Sequence, residues 1–343
     1  MIKKRSFAST IPAGDEGEIM KSAARMVTGF GRGMVALIAL TAGAASAQTQ
    51  SCDRACLLKL TDSYLGALAA HDPKAVPLAG NVRFVENATK VKPGEGLWKT
   101  VTSGPTRFSI HVPDPVTQQA GWMGMMEQDG KPVIVAIRLK VEGGKITEAE
   151  HLAAAVTGAD NLARLQVPRA GLVTEVPAAA RLPHDRLVAI GASYYDALDD
   201  NNGSLMPFAK DCERRENGMV TAAPNLPPRD PPYPNISREC KGQLDSNAMA
   251  YISTIGNRRL FAVDPVTGLA MGLSHFHHAM DNLPYPVTLK DGTKGTRDKD
   301  SIGRGAFDLP AAHIFKVGAD GKVHEIEAMG FIAPYNAPSG WDD

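Results

Sequence analysis

Two short runs in the second half of the chain carry the residue types that proton transfer requires. Cys212-Glu213-Arg214-Arg215-Glu216-Asn217 has the alternation of a strand, which puts Arg214 and Glu216 on one face and Glu213, Arg215 and Asn217 on the other. Ser274-His275-Phe276-His277-His278 likewise sets His275 and His277 opposite Phe276. His313 lies on a later apolar run, and Tyr194-Tyr195 lie on a helix-like run that precedes both. An imidazole with a pKa near about 6.5 exchanges protons near neutrality, and a carboxylate or phenol can orient it. The expected roles are His275 or His277 as general base and Tyr194 as acid or orienter. Arg214 or Arg215, with Glu216, would fix a substrate oxygen and set the imidazole's protonation. Asn217, His313 and Tyr195 are candidate substrate contacts. Which face of the Arg214 strand is inside stays open: either Arg214 with Glu216 or Arg215 with Asn217. His275-x-His277 also permits a metal reading with Glu216 or His313 as third ligand, but His-x-His on a strand is a weak motif, and no metal is expected.

Several chemistries are not signalled. The sequence has no phosphate-cradling glycine loop, no Gly-x-Ser-x-Gly elbow and no dinucleotide fingerprint, so no cofactor is expected. With 37 basic and 37 acidic side chains, nothing in the charge points to nucleic acid as a partner. Four cysteines fit local disulfides, Cys52 with Cys56 and Cys212 with Cys240; zinc is the alternative, without a histidine at ligand spacing.

These residues are positioned by a scaffold that the chain contains twice. Residues 63–88 align without a gap on 193–218, with 8 of 26 positions identical, among them Tyr64/Tyr194, Glu86/Glu216 and Asn87/Asn217. Asp114-Pro115-Val116-Thr117 recurs as Asp264-Pro265-Val266-Thr267, and Gly144-Lys145-Ile146-Thr147-Glu148-Ala149-Glu150 as Gly321-Lys322-Val323-His324-Glu325-Ile326-Glu327. The period is too long for a solenoid and argues for two domains. Changes in offset give the second copy two insertions. One holds the proline-rich run 224–234; the other spans residues 281–295 and ends near Arg304. Long inserts of this kind are usually lids or binding loops. The first copy has Trp122, Met123, Met125 and Met126 where the second has its histidine strand, which points to a filled, supporting half.

The N-terminus has the pattern of an export signal: basic Lys21, Arg25 and Arg32, an apolar run 34–42, then Ala45-Ser46-Ala47 before a cleavage at Gln48. The residues before Met20 lack signal character, so Met20 is an alternative start. The expected organisation is a signal peptide and extension at 1–47, domain one at 48–175, a linker at 176–182, and domain two at 183–343 with its two inserted loops. A periplasmic or secreted protein, with no membrane association after cleavage, is the implied setting.

Each copy opens with an amphipathic helix, 57–68 and 187–198, then a short helical stretch, 75–78 and 204–208, and then a run of strands. Helix first and strands after indicate an α+β fold with an antiparallel sheet. Cys-Asp-Arg-Ala-Cys-Leu…Tyr-Leu-x-Ala-Leu…His-Asp-Pro…Leu-Ala-x-Asn-Val-Arg-Phe-x-Glu-Asn, closed by Gly-Lys-[Ile/Val]-x-Glu-x-Glu, resembles the NTF2-like, or SnoaL-like, superfamily, in particular a group of secreted bacterial and fungal proteins of poorly assigned function. The resemblance spans essentially the whole mature chain. It implies two tandem cone-shaped domains, each with helices packed on a curved sheet around an apolar pocket, packed together as an internal pseudo-dimer. It also implies a choice among dehydratase, isomerase, lyase and non-catalytic roles. The expected function is a cofactor-free lyase, dehydratase or isomerase acting on a small apolar or aromatic substrate, with aryl-propanoids derived from lignin first in line. The alternative is a non-catalytic binder of small hydrophobic ligands.

Overall fold

The computed structural model describes residues 51–341; the expected signal peptide lies outside them. In the first half, α1 (Arg54–Ala69) starts where the Asp53 side chain accepts the Cys56 N–H, and the Cys52–Cys56 disulfide closes the same turn. Leu57, Tyr64, Leu65 and Leu68 share its buried face, as their spacing dictates. The strands follow as β1 (Leu78–Glu86), β2 (Thr89–Lys90), β3 (Val101–Ser103), β4 (Ser109–Asp114), β5 (Gln119–Gln128), β6 (Lys131–Glu142) and β7 (Lys145–Ala155), with the one-turn α2 (Leu97–Thr100) before β3. Short helices α3 (Ala159–Arg164) and α4 (Ala170–Val173) lead into the second half.

The second half repeats the plan. It runs through α5 (His184–Asp199), β8 (Phe208–Glu216), β9 (Met219–Ala222), α6 (Cys240–Asp245), β10 (Thr254–Asp264) and β11 (Leu269–His278). The hairpin β12 (Tyr285–Thr288) and β13 (Lys294–Arg297), α7 (Lys299–Ile302), β14 (Phe307–Val317) and β15 (Val323–Gly330) complete it. Sheet orders match strand for strand, β2-β1-β7-β6-β5 against β9-β8-β15-β14-β11, with β4 and β10 flanking β5 and β11. The fold is α+β, two strongly curled sheets each carrying one long helix.

Three expectations change. Each sheet is antiparallel except for one parallel pair, β1 with β7 and β8 with β15, because the strand entered from the helix lies beside the last strand of its own half. The short second helix is only a 3-10 turn at Pro73–Ala75 in the first half, and in the second half β8 begins where a helix was expected. Pro77 and Pro207 hold the residue before them extended there. The inserts, expected to lack regular structure, contain α6, α7 and the β12–β13 hairpin, with the Cys212–Cys240 disulfide across the first.

The backs of the sheets pack on each other. Ile110, Met123, Met125 and Ile134 of the first half share one buried cluster with Met271, Leu273, Ala312 and Ile314 of the second. The repeated Asp-Pro-Val-Thr turn explains itself here. Asp264 (1% exposed) accepts from Arg54 at 2.8 Å, and Asp114 (1% exposed) pairs with His184 at 2.8 Å. Arg54 and His184 are the equivalent first residues of α1 and α5, so each half supplies the partner of the other's buried carboxylate, as an isologous interface requires. Arg259 adds a two-pronged bond to buried Glu150 at 2.6 and 2.8 Å.

Candidate active site in the second half

Tyr and Glu occupy the same scaffold positions in both halves, but their surroundings differ. In the first half the Tyr64 hydroxyl lies 2.9 Å from His151 Nε2, and His151 Nδ1 lies 3.2 Å from Glu86 Oε2. Glu86 also accepts the Leu97 N–H at 2.9 Å, and Trp98, 1% exposed, sets its ring edge-on to Tyr64 at 5.3 Å. The interior of this half is therefore closed by an aromatic core with a Tyr-His-Glu chain running through it.

In the second half the residue matching His151 is Ala328. The register shows it: Glu86 faces His151 across β1 and β7, and Glu216 faces Ala328 across β8 and β15. The residue matching Phe84, which packs on His151, is Arg214. Loss of the bridging ring leaves a cavity of about 470 Å³, lined by Tyr194, Arg214, Glu216, Thr221, His278 and His313 among others. Arg214 donates from Nη1 to the Tyr194 hydroxyl and from Nε to Thr221 Oγ1, both at 2.8 Å. Because the Tyr194 oxygen already accepts, its own proton is left for a ligand. Glu216, two residues along the same strand face, forms no hydrogen bond or ion pair with the described residues and stays half-buried at the cavity wall.

Burial controls the protonation of these groups. It pushes the Tyr194 hydroxyl upward, partly offset by the Arg214 charge, so the phenol keeps its proton. Arg214 is held above its usual value: burial opposes its charge, but Tyr194 and Glu216 favour it. His313 (5% exposed) is pushed down to about 3 by burial and by Arg214, and His278 (2% exposed) down to about 4, chiefly by burial. Both imidazoles are neutral near pH 7, and their Nδ1 atoms have no protein partner. His278 lies between two rings, Phe307 at 4.1 Å and Tyr251 at 5.3 Å.

The expected site residues separate into two groups. Tyr194, Glu216, Arg214 and His313 meet at the cavity, so Arg214 with Glu216 is the inward pair. His275 and His277 do not reach it. They share a face of β11 with Met271 and Leu273, the face turned to the first half, and Phe276 and His278 take the inner face. There His275 Nε2 (3.1 Å) and His277 Nδ1 (3.0 Å) bracket Asp308, which is fully buried and also accepts the Ala337 N–H. Among the described residues this is the one group of histidines and carboxylates close enough to hold a metal ion. Its observed role is to pair a buried carboxylate that anchors the C-terminal segment.

Arg215 points to the outer face and bonds Glu213 at 2.6 Å, near Arg169. Asn217 borders the cavity, but its side chain is bound on both sides to Gly330, N–H donating to O and O accepting from N–H. Asn87 does the same with Ala153, and both asparagines take positive φ (45° and 49°), so this repeat is a turn device. Tyr195 packs behind the cavity, with its hydroxyl over Gly272, where a Cβ would come within 2.6 Å of it. Both inserts supply cavity wall: Arg229, Tyr233 and Met249 from the first, Arg297, Ile302 and Arg304 from the second. His278, Tyr251, Asp308 and the His151-to-Ala328 exchange do not stand out in the sequence, although His278 shares strand parity with the large apolar Phe276.

Residues 180–330 match the profile of a domain of unknown function, DUF8021. That stretch is the second half, the one with the open cavity. A search of curated protein sequences gives no significant match. Solved structures similar to part of this chain include an NTF-2 like protein of unknown function from Burkholderia xenovorans LB400, at 11% identity over 33% of this chain and 94% of that one, TM-score 0.25. A second is SalBIII, an epoxide hydrolase/cyclase-like enzyme in pyran ring formation in polyether salinomycin, at 12% identity over 44% and 97%, TM-score 0.26. A third is a hypothetical protein with a ketosteroid isomerase-like fold from Catenulispora acidiphila, at 16% identity over 32% and 94%, TM-score 0.19.

Proposed function

We propose that the second half is an exported, cofactor-free acid–base enzyme of lyase, dehydratase or isomerase type, acting on a small aromatic molecule of the aryl-propanoid kind. The observation that carries this reading is the contrast between the halves. The shared Tyr and Glu are bonded through His151 in the first half; in the second they face a cavity with an unclaimed phenolic proton and an unpaired carboxylate. Glu216 is the general base that removes a proton from carbon next to a carbonyl or comparable group. The electron pair moves onto the substrate oxygen, which Tyr194 and Arg214 stabilise by hydrogen bond and charge. Glu216 then returns the proton, to a neighbouring carbon in an isomerisation or to a departing hydroxyl in a dehydration, and no net proton is exchanged. His313 and His278, neutral near pH 7, serve as hydrogen-bonding walls and not as cationic acids. Two disulfides suit an oxidising compartment.

The test is turnover of a panel of aryl-propanoid alcohols, diols and hydroxy ketones by the wild type, Tyr194→Phe, Glu216→Gln and the first-half control Glu86→Gln. The reading expects Glu216→Gln to lose about 10²–10⁴ in rate, the usual contribution of a general base, with Glu86→Gln near wild type. Equal rates for Glu216→Gln and wild type on any accepted substrate would sink it.

A further inference from the structure

The two segments present only in the second half both deliver arginines to its cavity: Arg229 from the first, Arg297 and Arg304 from the second. With Arg214 they make four guanidinium groups against one carboxylate, Glu216, on the cavity wall. Arg297 is the telling member. It is 5% exposed, its Nε has no hydrogen-bond partner, and no carboxylate of the described residues pairs with it. Its guanidinium lies over Tyr233 at 4.4 Å and Tyr251 at 5.3 Å, and Arg229 lies 4.8 Å from the same Tyr233 ring. Ring contacts of this kind offset only part of what burying an unpaired charge costs. Arg238, which ties the first insert through Pro227 O and Val220 O, is itself held below its usual value by burial and by the charge of Arg229. Two cations on one aromatic ring, one of them buried without a carboxylate, call for an anion.

The rest of the wall limits what carries that anion. Leu198, Met249, Ile252 and Phe276 are apolar, and His278, Tyr251 and Phe307 form a stack of flat rings. A compact inorganic anion would leave that surface bare. We infer that the cavity takes a planar, largely apolar carboxylic acid. Its carboxylate is held by Arg297 and Arg229, a bidentate partner for a planar guanidinium, and its body lies along the aromatic wall. Only the position of the reacting end, at Tyr194 and Glu216, rests on the function proposed above. The inserts are thus the specificity element that the first half lacks, and the substrate is an aryl acid, where the sequence pointed only to a small apolar or aromatic molecule.

Calorimetric titration of the wild type, Arg297→Met and Arg229→Ala with 2-naphthoate, methyl 2-naphthoate and inorganic phosphate tests this. The acid should bind at least tenfold more tightly than its ester and than phosphate. Arg297→Met should abolish that preference, and Arg229→Ala, at an exposed position where folding is not at stake, should weaken the acid severalfold and leave the ester unchanged. Without ligand, Arg297→Met should melt at or above the wild-type temperature, since an unpaired buried charge is removed. Equal binding of acid and ester, binding of neither, tighter binding of phosphate, or a marked fall in the ligand-free melting temperature of Arg297→Met would overturn the inference. Binding of the acid with no turnover of any substrate would keep it and sink the enzyme reading. Glu216-dependent turnover of neutral molecules without acid preference would do the reverse.

Discussion

Converting the second half to the pattern of the first should close it. The double substitution Arg214→Phe with Ala328→His restores the Phe84 and His151 positions. In the first half those residues place an imidazole 2.9 Å from the Tyr hydroxyl and 3.2 Å from the Glu carboxylate. The new imidazole gains two hydrogen bonds of about 1 kcal/mol each, and the new phenyl ring gains about 1.5–3 kcal/mol from burial. Arg214 gives up its charge-assisted bonds to Tyr194 and Thr221, about 1.5–3 kcal/mol each, so gain and loss nearly cancel and stability should stay within about 2 kcal/mol of wild type. The catalytic effect is far larger. Removing the cation that holds Tyr194 and tying Glu216 to an imidazole takes away the oxyanion donor and the free base together, a loss of at least about 10³ in rate. Urea unfolding, calorimetric titration with 2-naphthoate and turnover of the best panel substrate measure the three effects. A folded double variant that kept turnover within tenfold of wild type would refute the claim that the His151-to-Ala328 exchange opened this site.

The opposite change in the first half, Trp98→Ala, should cost about 3–5 kcal/mol in urea unfolding, and indole at ten times its dissociation constant should restore about 1.4 kcal/mol; no rescue would mean that the site collapses. His313 is held at about 3, below its unfolded value of 6.5, so its contribution to stability is intact above 6.5 and is lost as pH falls. Between pH 7.5 and 5.5 the wild type should therefore lose about 1.4 kcal/mol more than His313→Gln. Glu327, raised to about 7 by burial, acts in the opposite sense in both proteins and cancels in the comparison. Equal pH dependence would show that His313 is not neutral there. Replacing Cys212 and Cys240 by Ser should cost about 3–4 kcal/mol by the loop-closure relation and weaken 2-naphthoate binding at least as much as Arg229→Ala, because the bridge spans the insert bearing Arg229. Unchanged binding would separate the bridge from the cavity.

Much of this was legible in the chain itself. The repeat located both long helices, the run of strands after each and the asymmetry of the inserts, because α1 and α5 carry the 3.6-residue stripe and the main strands alternate. Alternation also paired Arg214 with Glu216 correctly, but not which face was inside. His275 and His277 were assigned to the cavity because paired histidines look like chemistry. Met271 and Leu273, four and two residues upstream of His275, carry the same parity and belong to the surface between the halves. That surface cannot be seen in one strand, since both faces of β11 are buried, one by its own half and one by the other. Asp308 was hidden for a related reason: its pairing with His277 follows from the β11–β14 register across the second insert. The decisive exchange, His151 for Ala328, was present in the repeat one residue beyond its last aligned glutamate. Its meaning depended on the cross-strand neighbour, Glu86 or Glu216.

The central claim is that Glu216 moves a proton to and from carbon inside the second-half cavity. Its most direct measurement is NMR of the best panel substrate deuterated at the carbon next to the polarised oxygen and incubated with wild type and with Glu216→Gln. The label must leave that carbon at the rate of turnover in the wild type, and at least about 10²-fold more slowly in Glu216→Gln. Label leaving equally fast in both proteins, or turnover with the label fully retained at that carbon, would contradict it.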